Sequence, residues 1–98
     1  MPISSVATVT AGTHLAIPTA RKYHGANLYP DGTNAARVVI YRGGANTAGK
    51  EVASIRGPAT ESVTDTPQDE IDLDPEGGLY CVCTATGDAA IAVVRYGT

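Results

Sequence analysis

The stretch Gly78 to Gly97, GLYCVCTATGDAAIAVVRYG, constrains the fold more than any other. It holds two apolar, partly β-branched runs, Leu79 to Thr84 and Ala89 to Tyr96, with the turn signal Thr86-Gly87-Asp88 between them. Short runs of this kind around a tight reversal predict a β-hairpin. A two-residue Thr86-Gly87 loop would pair Cys83 with Ala90, Cys81 with Ala92 and Leu79 with Val94. A three-residue Thr86-Gly87-Asp88 loop would pair Cys83 with Ile91 and Cys81 with Val93 instead. In both registers the two faces stay mostly apolar, with Tyr80 and Val82 on one and Leu79, Cys81 and Cys83 on the other. A sheet with one wet face alternates apolar and polar residues. The hairpin is therefore expected to be covered on both sides, by its own core and by a partner subunit or a crossing segment.

The preceding chain repeats the theme. Ser4 to Thr10 alternates weakly and reads as an edge strand or an extended arm, the arm taking in residues 1–12. Ala11-Gly12-Thr13 is a turn, and His14 to Pro18 is a short strand stopped by a proline that cannot donate to a ladder. Arg21 to Tyr29 alternates, with Lys22, His24, Ala26 and Leu28 on one face and Tyr23, Gly25, Asn27 and Tyr29 on the other. Pro30 to Asn34 is a turn, and Ala36 to Arg42 is an interior strand, so 21–29 and 36–42 read as a second hairpin. The loop Gly43 to Gly49 leads to a strand over Lys50 to Arg56. Ser62 to Thr64 reads as a short edge strand, Ile71 to Leu73 puts its two apolar side chains on one face and an acid on the other, and Asp74 to Gly78 is a turn feeding the last hairpin. About eight short strands, spaced roughly every ten residues with turn signals between, predict a single all-β domain over residues 1–98. The architecture expected is an antiparallel β-sandwich, jelly-roll or immunoglobulin-like.

The chain has 98 residues and contains neither Phe nor Trp, so Tyr23, Tyr29, Tyr41, Tyr80 and Tyr96 are its only aromatics. Val, Ile, Leu, Ala and Cys must fill the core, which suits a thin sandwich. The net charge of −3 argues against a nucleic-acid partner. Charge is nonetheless segregated along the chain. Six of seven basic residues precede residue 57, and seven of ten acids fall between Glu61 and Glu76. Solvated loop faces account for this, as does a dipolar subunit whose ends meet unlike charge on neighbours. Met1 to Thr10 lacks the marks of a signal peptide, and no apolar run reaches membrane-spanning length. A soluble protein made in the cytoplasm, with reduced thiols and no membrane partner, is expected.

No motif points to catalysis, so a non-enzymatic role without a cofactor is expected. Cys81 and Cys83 lie i, i+2 on one strand face, which does not suit a disulfide, and zinc would need further ligands. They read as buried thiols. The acidic run Asp65 to Glu76 lacks the ligand spacing of an EF-hand. It reads as solvated edge charge, with a subunit contact or calcium as alternatives. His14 and His24 have no nucleophile elbow to serve, and Gly43-Gly44 and Gly77-Gly78 match no phosphate loop.

The motifs together resemble a known family. An extended first strand precedes Tyr23-His24-Gly25-Ala26-Asn27-Leu28, then the strand Val38 to Tyr41, a Gly/Ala/Thr loop, and the closing run from Gly78-Leu79-Tyr80 through Val93, Val94 and Tyr96. This resembles the small all-β head decoration, or cement, proteins of tailed bacteriophages. The resemblance implies a virion structural protein on the outside of the capsid. It would bridge major capsid protein subunits, assemble as a homo-oligomer, a trimer first of all, and be synthesised in the host cytoplasm. No catalytic residue carries over. Another virion role (tail, baseplate or head fibre) and a small carbohydrate-binding module are the alternatives. The candidate interface residues are Tyr80, Val82, Val94, Tyr96, Tyr23, Tyr29 and Tyr41. Strand parity would turn Tyr23, Tyr29 and Tyr41 outward together if Val38 and Ile40 face inward.

Overall fold

The computed structural model describes residues 5–43, 50–67, 71–73, 77–85 and 90–98. Among them are nine strands: β1 (Ser5–Thr10), β2 (Thr13–Ile17), β3 (Lys22–Tyr29), β4 (Ala36–Arg42), β5 (Glu51–Gly57), β6 (Val63–Asp65), β7 (Ile71–Asp72), β8 (Leu79–Ala85) and β9 (Ile91–Gly97). They form two antiparallel sheets. The front sheet has the order β1-β9-β3-β6, with β7 also on β3, and the back sheet has the order β2-β8-β4-β5. The chain is a single-domain β-sandwich, and its shortest principal extent is 19 Å. That is the thinness expected of a core without large aromatics.

The pairing follows a rolled ribbon. The chain runs out and back so that β1 pairs with β9, β2 with β8, β3 with β6 and β7, and β4 with β5. Rolling that ribbon up adds the pairs β3·β9 and β4·β8, which complete both sheets. This is a jelly roll rather than an immunoglobulin-like order.

The predicted C-terminal hairpin is therefore absent. β8 lies between β2 and β4 in the back sheet, and β9 lies between β1 and β3 in the front sheet. Neither proposed register occurs, and the turn 86–88 falls outside the described residues. The second predicted hairpin fails in the same way, because β3 and β4 belong to different sheets. The physical reason is that a short reversal can join neighbouring strands about 4.8 Å apart or facing sheets about 10 Å apart. Turn chemistry does not distinguish the two. The one hairpin among these strands, β4 to β5, is joined by the Gly-rich loop; residues 44–49 of it lie outside the described residues.

The corner between β1 and β2 shows how a strand changes sheets. The Ala11 N–H donates to the Ala90 carbonyl at 2.8 Å, continuing the front sheet, and the Gly12 N–H donates to the Cys83 carbonyl at 2.9 Å, entering the back sheet. Gly12 takes a φ of +81°, a conformation that favours glycine. The Thr13 hydroxyl clasps the corner by donating to the Thr10 carbonyl at 2.6 Å.

The inner faces make the core. Val9, Leu28, Ala92 and Val94 from the front meet Val38, Ile40, Ile55, Leu79, Cys81 and Cys83 from the back. Tyr23 joins them with no exposed surface, closed in near Ala20 and Leu73 from the loops. Burial of such side chains contributes roughly 1.5–3 kcal/mol each and drives the two sheets together. A bulge between Tyr23 and Gly25 shifts the parity of β3. Tyr23, Ala26 and Leu28 are consequently all buried, whereas strict alternation put Tyr23 on the opposite face from the other two.

Candidate functional site: the two outer faces

Each sheet presents an outer face, and the two differ. On the front, β9 contributes Ile91, Val93 and Arg95, and β3 contributes Asn27 and Tyr29. The guanidinium of Arg95 lies across Gly25 and donates to the Asn27 side-chain carbonyl and, at 3.4 Å, to the Asp65 carbonyl. Gly25 is required here: its φ is +134°, and a Cβ would fall 2.5 Å from the Asp65 carbonyl oxygen and 2.6 Å from Arg95 Nη2. Asn27 also donates to Thr64 Oγ1 at 3.2 Å, and Lys22 pairs with Asp72 at 3.4 Å. Polar groups on this face thus find partners within the chain.

The back face is laid out in rows by the register of β2, β8, β4 and β5. One row runs His14, Val82, Val39, Ser54, and the next has Ala16, Tyr80 and Tyr41. Val39 is only 8% exposed although it points away from the core, because its row-mates cover it. The His14 ring stacks on Tyr80, centroids 5.3 Å apart and planes 22° apart. A third row, toward the ends of β5 and β8, is Thr84, Arg37 and Arg56. These two arginines stand directly opposite each other, and neither makes an ion pair with a described residue. They line one side of an open hollow of about 610 Å³, together with Ala36, Pro58 and Ala85.

The seven candidate interface residues separate accordingly. Tyr80, Val82 and Tyr41 share the back face. Tyr29 is on the front and 39% exposed. Tyr96 is half-buried against the core margin. Tyr23 and Val94, expected at the interface, lie in the core instead: both are fully buried and have no surface to dock. Tyr23, Tyr29 and Tyr41 therefore do not share an outward face. The β3 bulge and the crossing from β3 to β4 put them in three environments. Sequence reasoning missed Gly25, Arg95, Val39 and the pair Arg37 and Arg56. A glycine inside a strand was the available signal for the first.

The Tyr23 hydroxyl donates to Asp65 Oδ2 at 2.6 Å. Burial, followed by that bond to a carboxylate, raises the phenol well above its ordinary value. Asp65 sits on the edge strand β6, and its carboxylate accepts from this buried partner within the chain. The Lys22–Asp72 pair likewise joins the basic and acidic segments inside one subunit. The sequence-level dipole is thus partly closed on itself; the acids at 69, 70, 74 and 76 lie outside the described residues.

Cys81 and Cys83 are buried free thiols, as expected. Burial pushes Cys81 up to about 12 and raises Cys83, so both stay protonated and unreactive at neutral pH. Among the described residues no group of three or more His, Cys, Asp or Glu is placed to hold a metal. The calcium alternative rests largely on residues outside that set. Asp31 organises the β3–β4 crossing by accepting from the N–H groups of Asn34 at 2.7 Å and Thr33 at 2.8 Å. Those bonds, Asn34's first, hold its carboxyl below the usual range.

Fold and surface together define a jelly-roll β-sandwich whose front face carries partnered polar groups beside the exposed Val6 and Tyr29, and whose back face carries half-buried aromatic and aliphatic side chains beside two arginines. No family profile, curated protein or solved structure matches the chain.

Proposed function

We propose that this chain is a non-enzymatic docking protein. In the reading that its motifs support, it binds the outside of a bacteriophage head as a homo-oligomer and bridges major capsid subunits. The observation that carries the docking is the back face, where Tyr80, Val82, Val39 and Tyr41 form a contiguous apolar and aromatic patch across two neighbouring strands, β8 and β4. Aromatic side chains supply large, rigid contact area, and they concentrate at interface centres. A cement protein gains from many weak, simultaneous contacts, which multivalency multiplies. The arginine row, one step along the same strands, gives that patch a polar rim.

The test adds purified protein to heads assembled without it. Binding, together with greater resistance of the heads to heat, is expected, and Tyr80→Ser should abolish both. Heads that neither bind the protein nor lose stability in its absence would remove the capsid reading.

A glycan-binding module is the second reading, favoured by one feature: Tyr41 lies directly opposite Tyr80, beside the His14 stack. Glycan-array binding that Tyr80→Ser eliminates, with no binding to heads, would establish it instead.

A further inference from the structure

The arginine row sets two like charges on directly opposed residues. Arg37 and Arg56 are register partners on adjacent strands, both pointing outward. Like charges directly opposite each other destabilise a sheet. Arg37 reaches only the Ser54 hydroxyl, at 3.4 Å, and neither guanidinium has an acidic partner among the described residues. The contrast with Arg95 is direct, since that guanidinium is held by two acceptors. Thr84 completes the row with a hydroxyl, and Ala36, Pro58 and Ala85 make the surrounding hollow apolar.

We infer that Arg37 and Arg56 form a carboxylate-binding site that takes an acidic side chain from an apolar-flanked segment of a partner protein. Two forked guanidinia about one strand spacing apart can each give paired hydrogen bonds to a carboxylate. The anion would remove their mutual repulsion, and the apolar walls would accept the side chains beside it. A nucleic acid fits worse, because a polyanion would approach a chain of net charge −3 with only this small cationic row to hold it. A protein carboxylate asks for one charge contact and benefits from the walls. The inference rests on the docking reading for the identity of the partner, but not for the chemistry of the hollow.

The experiment is an amide chemical-shift titration of the full chain with the capped peptide acetyl-Leu-Asp-Leu-Asp-amide. Saturable shifts at Arg37, Arg56, Gly57, Thr84 and Ala85 are expected. Affinity should fall at least about tenfold for acetyl-Leu-Asn-Leu-Asn-amide and for the double variant Arg37→Gln/Arg56→Gln. It should also fall as salt rises. Both arginines are exposed, so the variant is expected to stay folded, which its unshifted remaining amides will verify. The inference is overturned if the shifts do not saturate, or if the asparagine peptide or the double variant binds as well. It is also overturned if inorganic phosphate or a single-stranded oligonucleotide binds the hollow more tightly than the acidic peptide. Failure here with Tyr80-dependent binding to heads intact removes the carboxylate site and leaves the docking face. Success here with no head binding does the reverse.

Discussion

The front and back sheets share one core but differ in how the polar groups of their outer surfaces are partnered. On the front, Arg95 is laid over a glycine and satisfied by Asn27 and Asp65, and Lys22 meets Asp72. On the back, Val82 and Val39 with the Tyr80 and Tyr41 pair sit beside two arginines with no described acidic partner. Folding needs the front contacts, because they bind β6 and β7 to β3 and close the end of the sandwich. It has no comparable need for the back row. The difference separates residues that hold the molecule together from residues available to something else.

Gly25→Ala should break the front most severely. The added Cβ collides with the Asp65 backbone and the Arg95 guanidinium at a φ that L-residues avoid. Backbone strain of this kind alone costs about 1–3 kcal/mol. Denaturant unfolding should therefore show a loss of about 2 kcal/mol or more. A neutral result would mean that Arg95 and β6 are not locked as described.

Tyr23→Phe comes next. It keeps the buried ring and removes the bond to Asp65. Hydrogen bonds to charged groups contribute about 1.5–3 kcal/mol, and a loss in that range is expected. The same variant sharpens the pH response. Tyr23 and Cys81 have raised values in the folded protein, so the folded state binds protons that the unfolded chain has already released. That stability is fully present below the ordinary thiol value of 9.0 and is lost as pH rises toward about 12. Unfolding midpoints measured from pH 7 upward should fall above pH 9, and Tyr23→Phe should flatten the part of the fall that begins near the ordinary phenol value of 10.0.

The smallest effect on stability belongs to the back. Tyr80→Ser and Val82→Thr should each cost about 1 kcal/mol or less, since both are outward and only half-buried. Their effect should be on docking. If Tyr80→Ser unfolds the chain as readily as Gly25→Ala, the back face is structural and the contrast between the sheets fails.

Much of the fold is legible locally. The runs 36–42 and 79–84 are strands, and the alternation of Leu79, Cys81 and Cys83 against Tyr80 and Val82 is the alternation of core and outer face. Half of the site was legible for the same reason, because parity alone sends Tyr80 and Val82 away from the core. The misplacement of Tyr23 shows where parity stops: one extra residue at the Gly25 bulge turns the following side chains over. Arg37 and Arg56 each look like ordinary exposed charges in sequence. Only the β4·β5 register makes them a pair.

The amino-acid sequence by itself determined an all-β sandwich with a small-residue core, the reversals at 11–13 and 30–34, and two thiols held inside. Those follow from side-chain size, β-branching, alternation and the φ demands of Gly, Pro and Asp, all of which act within a few residues. Strand partnership was decided only by the tertiary structure. Gly78 to Gly97 reads as one hairpin because its runs are adjacent, yet β8 and β9 are the interior strands of opposite sheets. A reversal that can span either a strand gap or a sheet gap leaves that choice to packing. In the jelly roll, burying Leu79, Cys81 and Cys83 against Ala92 and Val94 across the core takes the place of pairing them side by side.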